Sequence, residues 1–368
     1  MALNKYLTYL KNFDWLLLAP VFLLSFFGLA ILYSGTLNVA NPDWTLFNKQ
    51  LSFFILGVIL LIITSIINYR RWKTYAMVLY GISLILLVIV LFWGTTIRGT
   101  TGWFSIFGFG LQPVELMKFA LVLILAWLYS RNKGREKEWS TIFSVGLITL
   151  IPVGLAMLQP DFGSAAVMMG IGFGFYMLLS MKLKNLIFII LIIIVISTVL
   201  WNFVLLDYQK TRINTFINPM DDPLDEGYNV RQAIIAVGSG QLIGRGLGLG
   251  TQSQLRFLPE TTTDFIFATA AETLGFLGTS LIVLFFMSLF MRLIFIMKQA
   301  RDDFGVYVIY GFGLIFFIQT IINIGMNIGI LPIVGLSLPF VSYGGSFLLM
   351  CMLAIGIIES IRLRQTVV

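Results

Sequence analysis

The sequence predicts an all-α polytopic membrane protein of about ten transmembrane helices. Three observations predict it. The chain is 58% hydrophobic with a mean hydropathy of +0.94, well above the composition of ordinary globular domains. Its apolar runs are long and unbroken, which fits helices of about 20 residues and not the alternating short strands of a membrane β-barrel. Its 24 Lys and Arg residues mostly flank those runs, as they do at membrane spans.

Ten apolar segments are long enough to span: 15–33, 48–67, 74–93, 113–131, 141–158, 163–180, 184–206, 265–291, 304–328 and 340–361. The first follows MALNKYLTYLKNFDW without a small-residue cleavage site and reads as a retained helix. The fifth and sixth are joined only by QPDFG and form a tight hairpin. Glycines within many of the segments suit close packing in lipid. The chain reads as a single membrane domain, 1–368, with one large extracytoplasmic loop, 207–264, between helices seven and eight.

Positive charge in the short loops orients the bundle. Lys5 and Lys11, Arg70, Arg71 and Lys73, Arg131, Lys133, Arg135 and Lys137, Lys182 and Lys184, Arg292, Lys298 and Arg301, and Arg362 and Arg364 all fall on one side. The opposite short loops hold only Lys49 and Arg98. Both termini are therefore predicted to be cytoplasmic and the 207–264 loop outside. The net charge of +7 needs no nucleic-acid partner, because the basic residues edge the spans.

Composition removes several chemistries. With no His, there is no Ser-His-Asp or Cys-His catalysis and no His-ligated metal. A single Cys, Cys351, excludes a disulfide framework and a thiolate metal site. GSGQLIGRGLGLG, 238–250, lacks the GKS or GKT of a phosphate loop and reads as a flexible re-entrant or interfacial segment. INP and DDPLDEGY, within 217–228, read as turns.

A few polar residues need a reason. Pro113 marks a helix start, and Glu115 and Lys118, three apart, share a face and can pair. Lys118 lies roughly 7–8 Å down that helix, where it either snorkels upward or lines a functional cavity. Asp161 reads as the cap of the sixth helix or as part of such a cavity. Trp103 fits an interfacial belt. Thr261 and Asp264 have the spacing of a capping box before an apolar run. Asp264 is followed by Phe265, Ile266 and Phe267, and an acid in apolar company at the lipid boundary equally suits a general base. Arg98, Trp103, Glu115, Lys118, Asp161, Arg212, Asp264 and Ser342 come from different segments yet all fall toward the outer side, which an outward-opening cavity explains.

Six segments carry a resemblance: RGTTGW (98–103), LQPVELMKF (111–119), LQPDFG (158–163), the stretch 218–248, GTQSQLRFLPETTTDFIF (250–267) and GILPIVGLSLPFVSYGGS (329–346). Together they resemble the SEDS family of bacterial cell-wall synthesis, the RodA and FtsW proteins. GTQSQLRFLPE is worded more like the RodA branch. The resemblance implies a peptidoglycan glycosyltransferase of the bacterial cytoplasmic membrane, polymerising lipid II at the outer leaflet during elongation and acting with a class B penicillin-binding protein. The family's essential Asp falls on Asp264, its loop Trp on Trp103, its buried Glu and Lys on Glu115 and Lys118, and the Asp of its QPDLG motif on Asp161. Arg98, Gln112, Arg212 and Ser342 join these as substrate-binding or supporting candidates. Thr261 and Thr262 stand where the family usually has an Arg-His or Ala-His pair, and Thr273 replaces a second Glu, so a mechanism needing that His has no support here.

The expected chemistry is direct displacement at the anomeric carbon of a lipid-pyrophosphate-linked glycan, with Asp264 as base. The leaving pyrophosphate calls for cations, from Arg98, Lys118 and Arg212 or from a divalent ion such as magnesium or manganese. A lipid II flippase, a division-type glycosyltransferase and a scaffold that only positions an enzyme are the competing readings.

Overall fold

The computed structural model describes residues 12–37, 43–97, 100–106, 109–134, 138–178, 226–255 and 257–366. Its helices in chain order are α1 (Trp15–Ser34), α2 (Thr45–Ile66), α3 (Arg70–Trp93), α4 (Pro113–Arg131), α5 (Trp139–Leu158), α6 (Phe162–Met177), α7 (Glu226–Ser239), α8 (Thr251–Gln254), α9 (Ile266–Gln299), α10 (Asp303–Asn327) and α11 (Gly345–Thr366). Among the described residues, eight are long and apolar enough to cross a membrane, and α6 is a shorter apolar helix. The predicted seventh span, 184–206, lies outside the described residues.

Helix is the form these runs must take, because a backbone in lipid has to satisfy its own hydrogen bonds. Pro113 at the first turn of α4 has no N–H to lose there. That helix is central: α3, α5, α6, α10 and α11 all pack on it, and from Val114 to Tyr129 nearly every residue is buried. On the periphery, α2 packs closely on α11. Gly356 permits the approach, since a Cβ there would strike Thr64 Oγ1.

Three sequence expectations are corrected. The chain is not wholly helical: β1 (Thr95–Ile97), β2 (Thr100–Ile106) and β3 (Phe109–Leu111) form a three-stranded antiparallel sheet between α3 and α4. Trp103 pairs with Thr95, and Phe104 with Leu111. The β-branched and aromatic residues of TTGWFSI fit a pleated surface better than a loop. Within 207–264 lie α7 and α8, and α7 begins inside the stretch read as turns.

The third correction concerns 238–250, expected to be a flexible segment. Gly275 adopts φ 68, ψ −166 and interrupts α9, a conformation costly for any residue but glycine. The backbone groups freed by the break are taken up by the loop. Arg245 N donates to Glu272 O and Gly246 N to Thr273 O, while Phe276 N and Leu277 N donate to Gln241 O and Leu242 O. The Glu272 carboxylate, fully buried, accepts from Gln252 N at 2.7 Å and Ser253 N at 3.0 Å. The segment is thus stitched into the helix.

An ionic cluster with buried carboxylates and partly exposed arginines closes the other end of the bundle. Asp14 caps α1 by accepting from Leu17 N at 3.2 Å. It receives Arg292 of α9 at 2.9 Å and Arg362 of α11 at 3.3 Å, and its N–H donates to Glu359 at 2.8 Å. Nearby, the Tyr69 hydroxyl donates to Asp302 at 2.7 Å. Burial, then that carboxylate, raises its pKa above the ordinary phenol value, so it stays protonated as a donor.

Candidate active site

Residues at the N-terminal ends of five helices enclose one cavity of about 590 Å³. Lys49 and Phe53 come from α2, Gln112 and Glu115 from α4, Asp161 and Ser164 from α6, Asp264 and Phe265 from the entry to α9, and Gly344 to Phe347 from the entry to α11. Trp103 of the sheet, Asn229 of α7 and Gln319 of α10 complete much of the wall. Each helix start carries N–H groups without partners inside its own helix and a positive partial charge.

Asp264 is placed by the turn that precedes α9, and three successive carbonyls of that turn are held from elsewhere. Tyr343 N donates to Thr262 O at 2.8 Å, and Ser342 Oγ donates to Thr263 O at 2.7 Å. Asn323 Nδ2 and Asn327 Nδ2 both donate to Asp264 O at 3.0 Å. Ser342 is itself fixed by Leu338 N, which donates to its Oγ at 2.8 Å. Gln50, buried on α2, donates to Ser342 O at 3.1 Å and accepts from Gly344 N at 3.2 Å. Ser342 therefore supports the site from behind.

The capping-box expectation is corrected. α9 begins at Ile266, its N-cap position is Phe265, and no side chain of that residue caps it. Asp264 lies before the helix, so it is not a first-turn acid. The cap arrives from α10: Asn327 Oδ1 accepts from Ala268 N at 2.9 Å. Thr261 contributes only its carbonyl, which accepts from Thr269 Oγ1 at 3.1 Å. The Asp264 carboxylate lies on the cavity wall near Gly335, where a Cβ would stand 3.7 Å from Oδ2.

Glu115 and Lys118 form the expected pair, with Nζ 2.6 Å from Oε1. Lys118 is 1% exposed, so it does not snorkel. Glu115 faces the large cavity, whereas Lys118 sits behind it beside Phe347 and a small void of about 20 Å³ that reaches Cys351. Asp161 Oδ1 accepts from Ser164 N at 2.9 Å and caps α6, and the residue also lines the cavity. Gln112 Nε2 donates to Asp161 Oδ2 at 3.4 Å and ties the starts of α4 and α6. Arg98 and Arg212 lie outside the described residues.

Sequence reasoning missed several residues. Lys49 is the cation on the cavity wall among the described residues. Glu260 adds a carboxylate, accepting from Thr263 Oγ1 at 3.1 Å. Gln319, Asn323 and Asn327 follow one another at intervals of four on α10, all buried. Their signal in the sequence is the repeat of carboxamides on one face of an apolar helix, which carries no formal charge. Among the described residues no three Asp, Glu or Cys side chains group as a metal cage.

Fold and cavity define a multi-pass helical membrane protein with a carboxylate-bearing pocket gathered at one end of its helices. The chain belongs to the FtsW/RodA/SpoVE (SEDS) family: the sequence model of that family, described as "Cell cycle protein", matches residues 14–366. It is 34% identical over 350 residues to the peptidoglycan glycosyltransferase MrdB of Escherichia coli, covering 95% of this chain and 94% of that one. It is 32% identical over 366 residues to a probable peptidoglycan glycosyltransferase FtsW of Geobacter metallireducens, covering 97% and 96%. Among solved structures, it superposes with TM-score 0.82 and 28% identity on a chain from work on a peptidoglycan synthase complex that coordinates polymerization and crosslinking, covering 96% of this chain and 98% of that one. The rod-shape-determining protein RodA of Thermus thermophilus superposes with TM-score 0.71 and 26% identity, covering 97% and 98%.

Proposed function

We infer that the chain is a peptidoglycan glycosyltransferase that polymerises lipid II into glycan strands for cell elongation. Relatives of nearly full length bear that activity in their names, and the RodA likeness favours elongation. The bundle sits in the bacterial cytoplasmic membrane with both termini inside and the cavity opening outward, the orientation that the loop charges support. A class B penicillin-binding protein is its partner, in keeping with the origin of one structurally similar chain in work on a peptidoglycan synthase complex.

Asp264 is the general base. Its carboxylate takes the proton from the 4-hydroxyl of the acceptor sugar as that oxygen attacks the donor's anomeric carbon. The bond from that carbon to the phosphate oxygen breaks, and the lipid pyrophosphate leaves with the electron pair. One displacement inverts the centre, as inverting sugar chemistry requires a base on the acceptor side. No nucleotide is needed, because the pyrophosphate is already an activated leaving group. Its negative charge is met by Lys49 and by the helix starts around the cavity. Glu115 and Lys118 brace the start of α4 beneath them.

The observation that carries this reading is the Asp264 turn, whose three successive carbonyls from Thr262 to Asp264 are held from distant segments while its carboxylate stays on the wall of the cavity. Such rigid placement is what proton transfer geometry demands. The test is purified protein with labelled lipid II, alone and with its partner transpeptidase. Glycan polymer is expected. Scrambling of lipid II across vesicles without polymer would make the chain a flippase instead.

A further inference from the structure

Five carboxamides are buried among the described residues: Gln50, Gln159, Gln319, Asn323 and Asn327. Four of them bond to backbone groups. Gln50 engages Ser342 and Gly344, Gln159 donates to Leu87 O at 3.0 Å, and the two Asn hold the Asp264 carbonyl. Gln319 differs. It is 1% exposed, and no described group donates to its Oε1, yet it lines the large cavity. An unsatisfied acceptor buried in a protein calls for a specific reason.

Its position supplies one. Gln319 lies one turn before Asn323 on the same face of α10, about 6 Å along the axis. Asn323 in turn touches the carbonyl of Asp264. We propose that Gln319 is a saccharide-contacting residue whose carboxamide, its Oε1 shut behind the cavity wall in this structure, turns to pair with the acetamido group of an N-acetylhexosamine bound in the cavity. A carboxamide both accepts and donates, so it matches an acetamido N–H and C=O together. A hydroxyl would leave part of it unmet. This assignment rests on the glycosyltransferase reading and deepens it.

The test uses the full-length protein with its partner. Gln319→Met keeps the length of the side chain and removes its polar atoms. Thermal unfolding is expected to stay unchanged or rise, since a buried unpaired acceptor is lost. KM for lipid II should rise by about threefold to tenfold, the worth of one or two neutral hydrogen bonds, with kcat within about threefold. The preference of the wild type for lipid II over an analogue lacking its N-acetyl groups should shrink by the same factor. A KM within twofold of wild type overturns the proposal, as does an unchanged preference. A fall in unfolding temperature, or failure of both Gln319→Met and Gln319→Leu to fold, would make the amide a structural element and overturn it too. Binding of labelled lipid II in an Asp264→Asn background separates the two readings. Weaker binding by the double variant supports Gln319 whichever residue takes the proton, whereas wild-type polymerisation by Asp264→Asn alone defeats only the base assignment.

Discussion

The side chain of Asn327 grips both sides of the start of α9: its Nδ2 donates to Asp264 O at 3.0 Å and its Oδ1 accepts from Ala268 N at 2.9 Å. One carboxamide thus caps the helix and holds the turn that carries the proposed base. Asn323 repeats the contact to Asp264 O and also donates to Leu336 O at 2.7 Å. Asn327→Leu removes a cap, leaves the buried Ala268 N–H unpaired and leaves Asp264 O to Asn323 alone, which costs about 1–3 kcal/mol of stability. Because the base moves with the turn, kcat should fall by about a hundredfold, with KM within threefold. Steady-state polymerisation and thermal unfolding check both; a stability loss with unchanged kcat would reduce Asn327 to a cap.

Asp264→Asn separates a base from a structural acid. The carboxylate lies before the helix, so its removal should leave the unfolding temperature and partner binding intact. An amide cannot take the proton, and polymerisation should drop by two orders of magnitude or more. Asp264→Glu should retain little, because a longer arm misplaces the base. Polymer formed per minute by the purified variants decides the matter, and a near wild-type rate for Asp264→Asn would move the search to Glu115 and Glu260.

Lys118 and Glu115 form a buried pair. Lys118→Met leaves Glu115 as a lone charge and should destabilise by about 3–5 kcal/mol. Adding Glu115→Gln should recover much of that loss. Equal unfolding temperatures for the single and double variants would show that the pairing contributes little.

Lys49 stands on the cavity wall at the start of α2. As a contact to a pyrophosphate, its loss in Lys49→Met should raise KM for lipid II about tenfold or more, the worth of a charged hydrogen bond. The effect should weaken at high salt. A KM that does not move would leave the helix starts and cations beyond the described residues to carry the charge.

Orientation is testable by labelling. In a Cys351→Ala background, a Cys at position 133 should resist an impermeant reagent in intact cells, whereas one at position 49 should react. Labelling at 133 from outside would invert the bundle and remove the outward-facing site.

Much of this protein was legible in one dimension. Long apolar runs determined the class and placed nine of the helices, because span length and hydropathy are local properties. Local motifs placed Asp264, Glu115, Lys118 and Asp161, and the spacing of three between Glu115 and Lys118 sufficed to pair them on one face. Tertiary structure decided what those residues do for one another. A polar side chain in an apolar helix announces that it needs a partner, but not which one. Asn327 finds Asp264 across 63 positions of chain. Glu272 turns out to hold α8, and Gly275 breaks α9 so that a loop can fill its freed hydrogen bonds. Those outcomes depend on which segments the packing brings within about 3 Å, a distance that no sequence pattern encodes.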